Sequence, residues 1–170
     1  DANWWGKTKE MLILKNVLRK MPNITFYWAG DGPYTQKIVK ELEEYKNFKW
    51  LGRLQYPEEV SEFLSSIDVY ALISGMDLAP LTLKEAQLME KPVIATNVGG
   101  IYEMMEDKET GFLIKENDPE DLIEKLTILF DDKSLQEKMG INGKQFVIKK
   151  FNWDIIAKKF IENIKPYIKN

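Results

Sequence analysis

Apolar residues recur at helical spacing over residues 8–20, where Met11, Leu14, Val17 and Leu18 share one side, so the pattern predicts a helix that Met21, Pro22 and Asn23 end. Residues 24–29 (ITFYWA) form a nearly continuous apolar run, β-branched and aromatic, as expected of a strand covered on both faces. Four turn formers follow, Gly30, Asp31, Gly32 and Pro33. The alternation then repeats: helix 34–45, strand 48–51, helix 57–67 with Val60, Phe63, Leu64 and Ile67 on one stripe, strand 68–73, helix 80–89 and strand 92–96. After Gly99 and Gly100 come a short helix over 101–106, a last strand over 111–114 and a helical tail over 119–130, 135–149 and 153–167.

Strands alternating with helices over short loops predict an α/β fold, a three-layer Rossmann-like parallel sheet with helices on both faces. With no internal repeat, low-complexity tract or linker, residues 1–170 read as one domain. Such sheets bind ligands beyond the carboxyl ends of their strands, which directs attention to the loops after Ala29, Leu51, Ile73 and Thr96.

The loop after Ile73 is the richest. It runs Ser74, Gly75, Met76, Asp77, Leu78, Ala79, Pro80 into a helix that contains Glu85. Pro80 suits the first helical turn, leaving the amides of Leu81, Thr82 and Leu83 free to face a phosphate or another anion, with the Thr82 hydroxyl beside them. Carboxylates repel a phosphate, so Asp77 and Glu85 are better suited to accept hydrogen bonds from sugar or ribose hydroxyls. Singly, an Asp before a helix is more often a cap and a Glu in a Lys-rich helix more often solvated. Their convergence on one loop, with Ser-Gly before it and Gly99-Gly100 after, favours a binding site.

Composition removes alternatives. The chain has no Cys and no His, which excludes Cys and His nucleophiles, Ser-His-Asp triads, Cys/His zinc sites and imidazole acid-base chemistry. The net charge of −3, from 24 basic and 27 acidic residues without a long single-sign block, argues against nucleic acid as a partner. The start DANWWGKTKEM lacks the features of a signal peptide and no apolar run is long enough to span a bilayer, so the expectation is a soluble, cytoplasmic protein.

The stretch from Asp77 through Glu85, followed by Lys91-Pro-Val-Ile-Ala-Thr-Asn-Val-Gly99-Gly100-Ile-Tyr-Glu103, resembles the C-terminal half of GT-B fold retaining glycosyltransferases of family 4, in which two acidic residues separated by seven others precede a PVIA…VGG-x-x-E segment. The likeness extends in order to Gly30-Asp31-Gly32-Pro33, Leu51-Gly52-Arg53, Asp68-Val69, Thr110-Gly111-Phe112-Leu113 and Phe151-Asn152-Trp153. The resemblance implies that Asp77 contacts hydroxyls of the donor sugar, that Glu85 holds the ribose, that the amides of Leu81 to Leu83 receive the diphosphate, and that Arg53 and Leu54 lie against the base. Lys7 matches the family's diphosphate-neutralising lysine better than Lys9. Gly30, Gly32, Ala79, Thr82, Gly99 and Gly100 complete the implied donor-binding set.

No metal and no cofactor are implied beyond the nucleotide sugar, because a helix N-terminus and a lysine meet the charge developing on the leaving nucleoside diphosphate. For that step Lys7 and the helix amides rank above either carboxylate. The implied partner is an acceptor-binding N-terminal domain across a cleft, absent from these residues, against which the final helix packs back; peripheral membrane association of the full-length protein fits the same picture. The family's domain also begins with a strand ending in Gly-Arg, placed between the strands at 24–29 and 68–73, and no residues precede Asp1 to form it. Asp77 is one methylene shorter than the family's usual Glu, and Pro80 replaces a usual Gly with its amide.

Two other readings keep the architecture: a nucleotide-sugar epimerase of similar fold, which relies on further acid-base groups, often His, and a noncatalytic Rossmann-like module with Asp31 and Asp77 placed as in a phosphorylated receiver. Trp28, Trp50 and Trp153 are expected in the core, Trp4 and Trp5 under a part of the protein outside this chain. Glu41, Glu43 and Glu44, like Lys149-Lys150 and Lys158-Lys159, read as solvated helix faces.

Overall fold

The computed structural model describes residues 5–168. Its elements run α1 (Trp5–Thr8), a 3-10 turn (Lys9–Ile13), α2 (Leu14–Lys20), β1 (Phe26–Ala29), α3 (Thr35–Leu42), β2 (Phe48–Gly52), α4 (Glu58–Ser66), β3 (Tyr70–Leu72), α5 (Leu81–Leu88) and β4 (Val93–Thr96). A 3-10 turn (Ile101–Glu103), β5 (Gly111–Ile114), α6 (Pro119–Asp131), α7 (Lys133–Lys150), α8 (Trp153–Ile164) and a closing 3-10 turn (Lys165–Tyr167) follow.

All strand pairings are parallel, and side chains alternate between two apolar layers as the pleat requires. Along β4, Ile94 joins Leu14, Val17, Ile38 and Leu122 on one face, while Val93 and Ala95 join Leu64, Leu83, Ala86 and Ile101 on the other. Phe112 and Ile114 of β5 repeat the first assignment and Leu113 the second. The three-layer α/β arrangement is thus present, with α2, α3 and α6 on one side and α4 and α5 on the other.

The sheet departs from a single continuous ladder. β1 pairs with β2 to make one part, and β3, β4 and β5 make another. Among the described residues no strand lies between β1 and β3.

The single helix expected over 8–20 is broken. Lys9–Ile13 winds as a 3-10 turn, in which residues three apart eclipse, and this brings both Glu10 and Ile13 into the interior. The short helix at 101–106 is likewise only a 3-10 turn, Ile101–Glu103. Pro80 is the N-cap of α5, with extended backbone, instead of its first helical residue. Trp153 is corrected outright: it is 80% exposed, and α8 buries none of its residues. A 3.6-residue stripe shows that a helix has an apolar side, and leaves open what covers it. Trp28 does pack against the first apolar layer, whereas Trp50 lies at the surface with its indole N–H donating to the Gly30 carbonyl at 3.0 Å. Trp5 is covered within the chain, by the Tyr34 ring at 5.6 Å and by the Lys37 ammonium over its face; Trp4 lies outside the described residues.

Candidate functional site

The loop that leaves β3 is shaped from behind by close backbone approaches. The Gly75 amide donates to the Lys7 carbonyl at 3.0 Å, and a Cβ on Gly75 would stand 2.3 Å from the Gly6 oxygen. This contact docks the start of α1 on the end of β3. Ser74 is buried; its amide donates to the Thr96 hydroxyl at 3.1 Å and its own hydroxyl to the Met76 carbonyl at 2.8 Å. On the other side the Gly100 amide donates to the Asp77 carbonyl at 3.0 Å. A Cβ would fall 1.9 Å from the Asp77 oxygen at Gly99 and 2.2 Å from the Leu78 oxygen at Gly100, so these two glycines seat the 77–78 backbone directly.

Held in this way, the half-buried Asp77 meets Lys7: the ammonium donates to Asp77 Oδ2 at 2.6 Å, while Oδ1 accepts from the Leu78 amide at 3.0 Å. Lys9 is exposed and, unlike Lys7, does not line the cavity at this end of the sheet. No side chain caps α5, so its first-turn amides, at Leu81, Thr82 and Leu83, have neither an intrahelical acceptor nor a capping one. Lys7, Asp77, Leu81 and Thr82 line one cavity at this end of the sheet. A cation, a carboxylate and an uncapped helix N-terminus therefore converge, an arrangement that receives an anion with hydroxyl groups beside it.

Glu85 is half-buried on α5, and among the described residues its carboxylate makes no hydrogen bond or ion pair. Its charge and that of Asp77 both act on Tyr70, a residue that the sequence pattern marked only as part of a strand. The Tyr70 hydroxyl donates to the Thr82 hydroxyl at 2.7 Å. Desolvation pushes its pKa up to about 12; the Thr82 hydrogen bond opposes the rise, and the Glu85 and Asp77 charges add to it. Nothing in an aromatic strand residue signals such a contact before the helix opposite is placed.

The remaining residues sit on the β1–β2 side. The Gly30 amide donates to the Gly52 carbonyl at 2.8 Å, and the Gly32 amide to Asp31 Oδ1 at 2.7 Å. Arg53 is exposed and Leu54 half-buried in the loop after β2; no hydrogen bond or ion pair among the described residues joins them to the Asp77 loop. Ala79 is exposed just before α5. Glu10 was not foreseen. It is 3% exposed and its carboxylate accepts from the Asn117 amide, which ties the first turn to the loop after β5. Burial raises its pKa; the Asn117 hydrogen bond opposes the rise and the Glu116 charge reinforces it. Glu41 pairs with Lys15 on the surface, and among the described residues no three carboxylates gather where a metal ion could be held.

Comparison with known proteins gives consistent results. Residues 9–146 match the model of the family described as glycosyl transferases group 1. The chain is 33% identical over 151 residues to the sulfoquinovosyl transferase SQD2 of Arabidopsis thaliana, an alignment that takes in 87% of this chain and 29% of that protein. It is 32% identical over 158 residues to a trehalose synthase of Thermococcus litoralis, across 87% of this chain and 38% of that one. Among solved structures, Anabaena HepE in complex with UDP and glucose superimposes with a TM-score of 0.79 at 22% identity, covering 94% of this chain and 45% of its own. This chain therefore spans less than half the length of these proteins. Among the described residues, no helix is long and apolar enough to cross a membrane.

Proposed function

The chain belongs to the group 1 glycosyl transferases and has the fold of the C-terminal half of GT-B enzymes, and within that family we propose that it is the donor-binding half of a retaining, family 4 enzyme that moves a hexose from a nucleoside diphosphate to an acceptor. The observation that carries this reading is the meeting of Lys7 and Asp77 at the uncapped N-terminus of α5. The α5 amides and the Lys7 ammonium take the diphosphate. Asp77, beside them, accepts from the sugar hydroxyls, and Glu85, further along α5, accepts from the ribose. Arg53 and Leu54 face the base. UDP in the HepE complex fits a uridine nucleotide.

As the bond from the sugar to the diphosphate breaks, negative charge accumulates on the leaving oxygen. Amides and a cation already aimed there stabilise it without reorganisation, and one such donor is worth about 3 kcal/mol, or on the order of 100-fold in rate. No metal is required by this scheme. Acceptor binding falls to the N-terminal domain of the longer, cytoplasmic protein, so residues 1–170 alone bind donor and turn over little.

Titration with UDP, GDP and ADP, followed by protein NMR, tests the proposal. Shifts centred on Lys7 and Leu81 to Leu83 are expected for at least one of them, and silence toward all three at millimolar concentration would refute it. Asp77→Ala should abolish discrimination between a nucleoside diphosphate sugar and the bare diphosphate while leaving diphosphate binding in place.

A further inference from the structure

Within the donor-binding reading, on which this step rests, the geometry points to a positioning residue outside the Asp77 loop: Tyr70, whose phenol commits the Thr82 hydroxyl to donate its proton to the diphosphate. Tyr70 is the first residue of β3, and its ring packs in the apolar layer that holds Leu83 and Ala86 of α5. Thr82 is the second residue of α5, in the turn whose amides no side chain caps. The Tyr70 hydroxyl meets Thr82 Oγ1 at 2.7 Å, and both residues line the cavity that Lys7 and Asp77 line.

The direction of that hydrogen bond decides what Thr82 can do. A hydroxyl carries one proton and two lone pairs. A phenol is a stronger acid than an alkyl hydroxyl, and its oxygen, conjugated with the ring, is a poorer acceptor, so the shared proton belongs to Tyr70. Desolvation, with the charges of Glu85 and Asp77 added, pushes the phenol up to about 12, which keeps that proton in place at neutral pH. Thr82 therefore accepts, and its own proton must find an acceptor elsewhere.

Among the described residues the Thr82 hydroxyl donates to no protein group, not even to Glu85, its neighbour three residues along the helix surface. The cavity is where the acceptor must come from, and an anion seated on the amides of Leu81 to Leu83 supplies one. Accepting from Tyr70 also polarises the Thr82 O–H and makes it a better donor. Without the phenol the hydroxyl turns freely among its staggered positions, and that advantage is lost. A phenylalanine would fill the same space in the apolar layer but could not set the proton, so the packing and the positioning of Tyr70 are separable. The effect belongs to the phosphate oxygens and not to the base or the sugar.

The test is a double-mutant cycle read by the affinity for UDP, GDP and ADP, scored on whichever binds tightest. Thr82→Val should weaken binding by about 30-fold, the loss of one hydrogen bond to a charged oxygen. Tyr70→Phe should weaken it by about fivefold. Thr82→Ser, which keeps a hydroxyl for Tyr70 to donate to, should stay within about threefold of wild type. The double variant Tyr70→Phe/Thr82→Val should bind no more weakly than Thr82→Val alone, because the phenol acts only through that hydroxyl. If Tyr70→Phe has no effect, if it costs the same factor with valine at position 82 as with threonine, or if Thr82→Val binds as wild type does, the proposal is overturned. Should Thr82→Val fail to fold, Thr82→Ala takes its place in the cycle. Wild-type chain that binds none of the three diphosphates overturns the donor reading and this step with it, whereas wild-type binding with an inert Tyr70→Phe overturns this step alone.

Discussion

The two parts of the sheet begin from similar sequence and end in different states. In β4 every residue is buried, whereas in β2 only Phe48 is, and Tyr27, Trp50 and Leu51 stand 52%, 36% and 42% exposed. Both parts are built from short apolar runs. What separates them is the number of neighbours: β4 lies between β3 and β5 with helices above and below, while among the described residues β1 and β2 have only each other in the ladder. The consequence falls on the loops. Those of the three-stranded part are gripped by backbone contacts at Gly75, Gly99 and Gly100 and hold Asp77 and the α5 N-terminus, while those of the two-stranded part carry Arg53 in solvent.

The sharpest way to break the comparison is to add one methyl group to a glycine in each part. At Gly111, where φ is +153°, a Cβ would fall 1.8 Å from the Val93 carbonyl oxygen in the neighbouring strand. Gly52 has φ +72° and nothing within 4 Å of its Cβ position. Gly111→Ala is expected to lose about 4 kcal/mol or more, because backbone must move. Gly52→Ala should lose only about 1 kcal/mol, the cost of a left-handed conformation for an L-residue. Equal losses in urea denaturation would show that the two parts are equally tight.

Truncation of side chains sharpens the contrast at a smaller scale. Ile94 is fully buried in β4, and Ile94→Ala should cost about 3 kcal/mol. Leu51→Ala, on the exposed face of β2, should cost less than about 1 kcal/mol. Should Leu51→Ala prove as damaging as Ile94→Ala, β2 must be covered in solution by something that the described residues do not include.

Tyr70 lines the same cavity as Lys7 and Asp77. Tyr70→Phe removes a hydrogen bond to Thr82 worth about 1 kcal/mol. It also removes a pH dependence. With the folded pKa raised from 10.0 to about 12, the folded chain holds its phenolic proton more tightly than the unfolded chain. That contribution is complete below pH 10 and is lost as pH rises through about 12. The wild-type chain should therefore lose stability over this interval more steeply than Tyr70→Phe, as urea midpoints measured at each pH will show.

The sequence pattern placed every strand within a few residues and located the loop of Asp77 and Glu85, since continuous apolar runs and Gly or Pro breaks are local properties. Lys7 came from the family resemblance and not from the pattern, and the structure sets it 2.6 Å from Asp77. Non-local properties were hidden. The tightening of Lys9–Ile13 into a 3-10 turn accompanies a contact of Glu10 with the loop at Asn117, more than a hundred positions away in sequence. The steric purpose of Gly99 and Gly100 depends on the backbone of Asp77 and Leu78 lying against them. Trp153 was misplaced because composition shows that a residue can be buried, and only packing shows whether anything covers it.

Glu10 belongs to neither part of the sheet and holds the first turn against the three-stranded one, which makes it the mildest test of the comparison. Burial raises its pKa more than the Asn117 amide lowers it, so the folded chain binds this proton more tightly than the unfolded one. The stabilising contribution is complete below the ordinary glutamate value of 4.5 and is lost as pH rises through the folded value, so at neutral pH the buried charge is a net burden. Glu10→Gln keeps an oxygen for the Asn117 amide and removes both the charge and its repulsion with Glu116. A melting temperature higher by about 1–2 °C at pH 7 and unchanged at pH 4 is expected. If the glutamine variant is instead less stable at pH 7 and unchanged at pH 4, the ionised carboxylate is what holds the loop, and the first turn is bound to the three-stranded part by charge and not by the hydrogen bond alone.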